Sequence, residues 1–146
     1  MLLDIYDFRR AIEIEIVAKA AVRRKPANLE SMAQNLIVME DRISRGVEFA
    51  VCGFDFHKEV ATAAHNDIGM GMLINLKAVV LQMMGCLANV NGAGEVTLEL
   101  HQNLYDAIKN GDPDCARKRM AEDMDIAREQ LMWALDHDPT LFLIET

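Results

Sequence analysis

Along most of this chain apolar residues recur at the three-and-four spacing that gathers them on one face of a helix. The spacing predicts a first helix over about Asp4 to Arg24, with Ile5, Phe8, Ile12 and Ile16 near one face. Asp4 and Asp7 suit the positive end of its dipole, and Arg23, Arg24 and Lys25 suit the other end. Pro26 stops it. Asn28 is expected to cap a second helix whose stripe is Leu29, Met32, Leu36, Met39 and Ile43. Gly46 marks a break before a third, roughly Val47 to His65. A fourth, apolar helix is expected over Ile68 to Val90, followed by a loop at Asn89 to Glu95. A fifth helix runs to about Asn110. In the Gly-Asp-Pro-Asp turn at 111–114, Gly111 ends that helix, Asp112 caps the next and Pro113 takes its first turn. The sixth reaches about Asp136, and residues 141–146 form a short apolar tail. The expected fold is all-α, an antiparallel bundle of six to seven helices around a central ligand cavity.

The informative positions are those where a stripe calls for an apolar residue and the chain supplies a polar one. The third helix reads Val47, Ala50, Phe54, His57, Ala61 and Ala64 on its inner face. The fifth places His101 in line with Leu104, Tyr105 and Ile108. The sixth runs Ala116, Met120, Asp123, Ala127 and Leu131. Two imidazoles and a carboxylate on three helices thus point inward. A buried Asp is costly unless it is paired or binds an ion. Two neutral imidazoles and a carboxylate also form a usual donor set for zinc, nickel or a similar divalent ion. Periodicity alone does not bring the three together, and each also reads as a separate, hydrogen-bonded core residue.

Composition changes this picture little. The 146 residues are 51% hydrophobic and only 5% aromatic, with ten methionines, which suits one helical globular domain. The net charge of −8 makes the chain by itself a poor partner for nucleic acid. Cys52, Cys86 and Cys115 are far apart, as expected of reduced thiols in a cytoplasmic protein. From Ile68 to Val90 only Lys77 is charged. Asn75, Gln82, Asn89 and three glycines nevertheless favour a buried bundle helix over a membrane span. The chain has no nucleophile elbow, HExxH or phosphate loop, so catalysis is not expected.

Three segments, taken in order, resemble a known family. The run 6–21 (YDFRRAIEIEIVAKAA) is similar to a Tyr-x-x-Arg-x-x-(Leu/Ile)-Glu opening helix. The run 54–66 (FDFHKEVATAAHN) is similar to a Phe-His helix ending in Asn. The run 101–123 (HQNLYDAIKNGDPDCARKRMAED) resembles a closing segment with His, an Ala-Ile pair, a Gly-Asp turn and Ala-x-x-x-Met. Together they resemble the C-terminal effector-binding (FCD) domain of the FadR-like branch of the GntR transcription regulators, across nearly all of residues 1–146.

The resemblance implies a small-molecule effector, often an organic acid, and in many members a divalent metal held by one Asp and three His. His57 and His101 match two of those His, and the last His falls at Asp123. The family's Asp falls at Gly53. The resemblance therefore implies a degenerate site of three ligands, His57, His101 and Asp123, holding one divalent ion (Zn, Ni or Mn) more weakly than four would. Gly53 equally leaves room for a larger effector in a pocket without metal. Arg9 matches an opening-helix Arg that would pair with an effector carboxylate or, equally, serve on the surface or in helix pairing, and Asn66 matches the helix-ending Asn, read as a cap ahead of a ligand contact. A homodimer is implied, with DNA reached only through a winged helix-turn-helix domain that is expected to be absent from this chain. The competing readings are a structural or adaptor bundle without ligand and, behind it, a metal-dependent hydrolase.

Overall fold

The computed structural model describes residues 1–87 and 90–142. Among these the architecture is seven α-helices and a terminal 3₁₀ turn: α1 (Leu2–Arg23), α2 (Pro26–Ser44), α3 (Ala50–Ala63), α4 (Asp67–Asn75), α5 (Lys77–Leu87), α6 (Ala93–Lys109), α7 (Pro113–His137) and the turn at Pro139–Phe142. The all-α bundle is as expected. The two long helices α1 and α7 pack along each other, α2 lies against α3 and α6, and α6 returns against α7. One continuous core joins the stripes, with Val17, Met32, Met39, Phe54, Phe56, Leu104, Ile108, Met120 and Leu131 fully buried.

Where the fold departs from the periodicity, local chemistry gives the reason. Pro26 opens α2 at its first position instead of merely closing α1, and Lys25 is the N-cap. A proline lacks only an N–H that would be orphaned there. Asn28, expected as the cap, sits three residues past Lys25, where its side chain accepts from the Lys25 N–H at 2.9 Å. The turn at 111–114 behaves as its sequence asks. Gly111 has φ 67°, the left-handed conformation that ends α6, and the Asp112 side chain accepts from Cys115 N–H at 3.0 Å. Replacing Asp112 by Ala is expected to lower stability by about 1 kcal/mol in urea unfolding. An unchanged midpoint would mean that Pro113 starts α7 without help.

The largest departure is the apolar stretch from Ile68. It is not one buried helix but two, α4 and α5, bent by 62° at Leu76. Only Gly69 and Leu73 of α4 are buried, whereas Ile68, Met72 and Ile74 are exposed. Among the described residues no single helix is long and apolar enough to cross a membrane. The α4–α5 pair together meets that test by length and composition alone. Of the expected loop at 89–95, Asn89 lies outside the described residues, as do residues 143–146 of the tail.

Two of the basic residues at the end of α1 tie helix ends. Arg23 donates to the Ala64 carbonyl at 3.2 Å, and Arg24 donates to the Lys109 carbonyl at 2.9 Å. The α1–α7 seam carries the paired Arg10–Asp125 contact, at 2.7 and 3.0 Å.

Candidate functional site

The inward stripes converge. α3 carries Phe54, His57 and Ala61 into the core, α6 carries His101 with Leu104 and Ile108, and α7 carries Asp123 between Met120 and Met124. The three polar side chains are buried, and one donor atom from each lies within 4.8 Å of the others. His57 Nε2 is 3.3 Å from Asp123 Oδ2, and His101 Nε2 is 3.5 Å from Asp123 Oδ1. Those separations are close to the edge of a tetrahedron of metal bonds, about 3.4 Å for bonds of about 2.1 Å.

Two further charged side chains complete the cluster from α1. Arg9, one of the expected site residues, is buried with its Nε donating to Glu13 Oε1. Glu13 Oε2 accepts from His57 Nδ1. Glu13 closes the Tyr-x-x-Arg-x-x-(Leu/Ile)-Glu run of the opening helix, but a stripe through Ile5, Phe8, Ile12 and Ile16 gives it no inward role. The buried face of α1 is instead Tyr6, Arg9, Glu13, Ile16, Val17 and Ala20, and Phe8 is half exposed. The missed signal was an Arg–Glu pair at i,i+4 in register with Tyr6 and Ile16.

The electrostatics follow from this geometry. Burial opposes a charge on His57, but the Glu13 carboxylate, helped by hydrogen bonds to Glu13 and Asp123, pushes its pKa up to about 9. Burial dominates at His101, which is pushed down to about 4. Burial likewise opposes the charged carboxylates, yet Arg9 and His57 hold Glu13 below the usual range, and His101 and His57 hold Asp123 below it. With Arg9, Glu13, His57 and Asp123 charged and His101 neutral, the metal-free cluster carries no net charge.

Gly53 requires a correction. The site is not degenerate: the His57, His101 and Asp123 donors form an intact triad, and no ligand position stands vacant at Gly53. The space a side chain would fill there is taken by α5, since a Cβ on Gly53 would lie 2.5 Å from the Met84 methyl and 4.0 Å from His101 Cε1. Asn66 is not brought to the cluster. It caps α4, its side chain accepting from Gly69 N–H at 3.2 Å.

The chamber bordered by Tyr6, Arg9, His57, Met84, His101 and Asp123 has a volume of about 20 Å³, room for one water or one ion. His101 Nδ1 and Arg9 Nη2 have no hydrogen-bond partner among the described residues. Two orphaned buried polar atoms at such a chamber fit a site that takes a polar guest. A larger cleft, about 530 Å³, lies elsewhere, between α2 and α6, and includes none of these residues.

Comparison with known proteins bears out the FCD-domain part of the three-segment resemblance. An HTH-type transcriptional regulator of Bacillus subtilis (strain 168), YcbG, described as uncharacterized, is 24% identical over 134 residues, which is 90% of this chain and 55% of the relative. The chain therefore spans about half the length of that curated relative. The FCD domain family matches residues 4–125, which include Arg9, Glu13, Gly53, His57, His101 and Asp123. FCD domains are ligand-sensing and non-catalytic, and this chain belongs to the FCD domain family.

Proposed function

We propose that this chain is the effector-sensing domain of a GntR-type transcription regulator of the FadR-like branch. In this reading it holds one divalent ion on His57, His101 and Asp123 and reads a small carboxylate beside it. The observation that carries the reading is the buried triad, whose three donors come from three helices and border a chamber with two unpartnered polar atoms. His57 and His101 would offer Nε2, and Asp123 either oxygen. The ion would supply an electropositive floor for an anion, with Arg9 as the second anchor. An organic acid needs more room than one water does, so entry requires the chamber to open. Met84 is the group best suited to move, an unbranched thioether with three rotatable bonds. Winged-helix DNA reading, dimerisation and the cytoplasmic setting belong to the same proposal, and the DNA contact would lie outside residues 1–146. In a dimer, an effector that binds one subunit geometry better than another shifts operator affinity by that difference.

A second reading has its own observation. The Arg9–Glu13–His57–Asp123 network balances its charges without an ion, as a purely structural cluster would. Titration calorimetry of chelator-stripped protein with Zn²⁺, Ni²⁺ and Mn²⁺ separates the two. The sensing reading expects one ion per chain, and loss of that binding in the His57→Ala, His101→Ala double variant while the circular dichroism stays helical. No binding by the parent protein, or unaltered binding by the double variant, supports the structural cluster instead.

A further inference from the structure

Glu13 lies on α1, not on one of the three helices that supply the donor triad, and is not among those donors. Its two carboxylate oxygens are both engaged: Oε1 accepts from Arg9 and Oε2 accepts from His57 Nδ1. The side chain is 3% exposed, so water does not compete for either oxygen. With Nδ1 committed, the remaining nitrogen of His57, Nε2, faces Asp123 Oδ2 at 3.3 Å. The two imidazoles are therefore not equivalent. His101 has no partner at Nδ1 among the described residues, and its ring is held by stacking on Phe56, with centroids 4.5 Å apart and planes 14° from parallel. One imidazole is oriented by a carboxylate and the other by an aromatic face.

We infer that Glu13 is a positioning residue of the metal site: by accepting the Nδ1 proton of His57 it fixes the ring and its tautomer, and so makes Nε2 the metal-binding atom. Arg9 holds Glu13 in place from the other oxygen, which gives a chain Arg9–Glu13–His57–ion. A carboxylate behind a ligating imidazole fixes ring orientation and raises donor strength, and its loss usually weakens metal binding 10–100-fold. This inference rests on the metal reading proposed above.

The test compares the parent protein with Glu13→Gln. Zn²⁺ affinity is measured by competition with a fluorescent chelator, and the His57 tautomer by two-bond ¹H–¹⁵N correlation of the zinc-loaded proteins. The expected result is one zinc in each, bound roughly 10–100-fold more weakly by Glu13→Gln, with the parent's His57 proton on Nδ1. The surface variant Asp125→Asn, which breaks only the Arg10 pair, leaves both readouts unchanged. A merely structural Glu13 would lower the melting temperature without altering the affinity of the folded protein. Equal affinities in parent and Glu13→Gln overturn the inference and leave the metal reading standing. A parent that binds no zinc overturns both. Where Glu13→Gln does not fold, the parent's spectrum decides: His57 metallated at Nδ1, with its proton on Nε2, overturns the inference.

Discussion

Asp123→Ala is expected to lower the unfolding free energy of the metal-free protein by about 3 kcal/mol or more at neutral pH, the range for removing one partner from a buried ion pair. The size follows from the cluster's charges. Asp123 is the counter-ion of the protonated His57 at 3.3 Å, lies 3.5 Å from the neutral His101 ring, and is buried with both. Without it, Arg9, Glu13 and a protonated His57 leave one uncompensated positive charge in the core. His57 relieves this by giving up its proton, which caps the loss but also removes the stability its raised pKa supplied. Asp123→Asn keeps the volume and some hydrogen bonding, and should fall between the parent and Asp123→Ala. Urea unfolding in chelator at pH 7 reads all three proteins. A loss under about 1 kcal/mol for Asp123→Ala, the level of an exposed ion pair, would show that the cluster is hydrated and open.

The second large effect is the dependence of stability on pH, again without metal. His57 has its folded pKa raised to about 9. Its contribution is therefore fully present below the unfolded value of about 6.5 and is lost as pH rises through about 9. The gap is worth on the order of 3 kcal/mol. His101 runs the other way. Its folded pKa is near 4, so the unfolded chain takes up a proton that the native state refuses, and stability falls as pH drops from about 6.5 toward 4. Glu13 and Asp123, both held below their ordinary values, add to that acid loss as they are protonated. The curve should peak near pH 6 to 7 and descend on both sides. Urea midpoints taken every half unit from pH 4.5 to 9.5 measure it. In His57→Gln the alkaline limb should flatten while the acid limb persists, and an alkaline limb of unchanged size would assign it to another group.

What the sequence made legible, and what it hid, divides along physical lines. His57, His101 and Asp123 were visible because each interrupts an apolar stripe at a position the helical period sends inward, and the structure buries all three. Glu13 was hidden because an Arg–Glu pair at i,i+4 looks the same on a solvated face as in a core. Only the packing of α1 against α3 tells them apart. The bend at Leu76 left no mark either. Gly71 and Gly85 lie away from it, and nothing in Asn75, Leu76 and Lys77 forbids a continuous helix. Gly53 shows the limit of matching one position to a family pattern. A missing carboxylate is plain in the sequence, but the side chain that fills its space arrives from α5 and is 31 residues away in the chain.

That last contact places two properties on separate genetic footing. The donor atoms belong to α3, α6 and α7, while the bulk that sets the chamber's dimensions beside Gly53 belongs to Met84 on α5. In the proposed sensor, substitution at Met84 would therefore alter which molecules fit without changing the residues that would hold an ion.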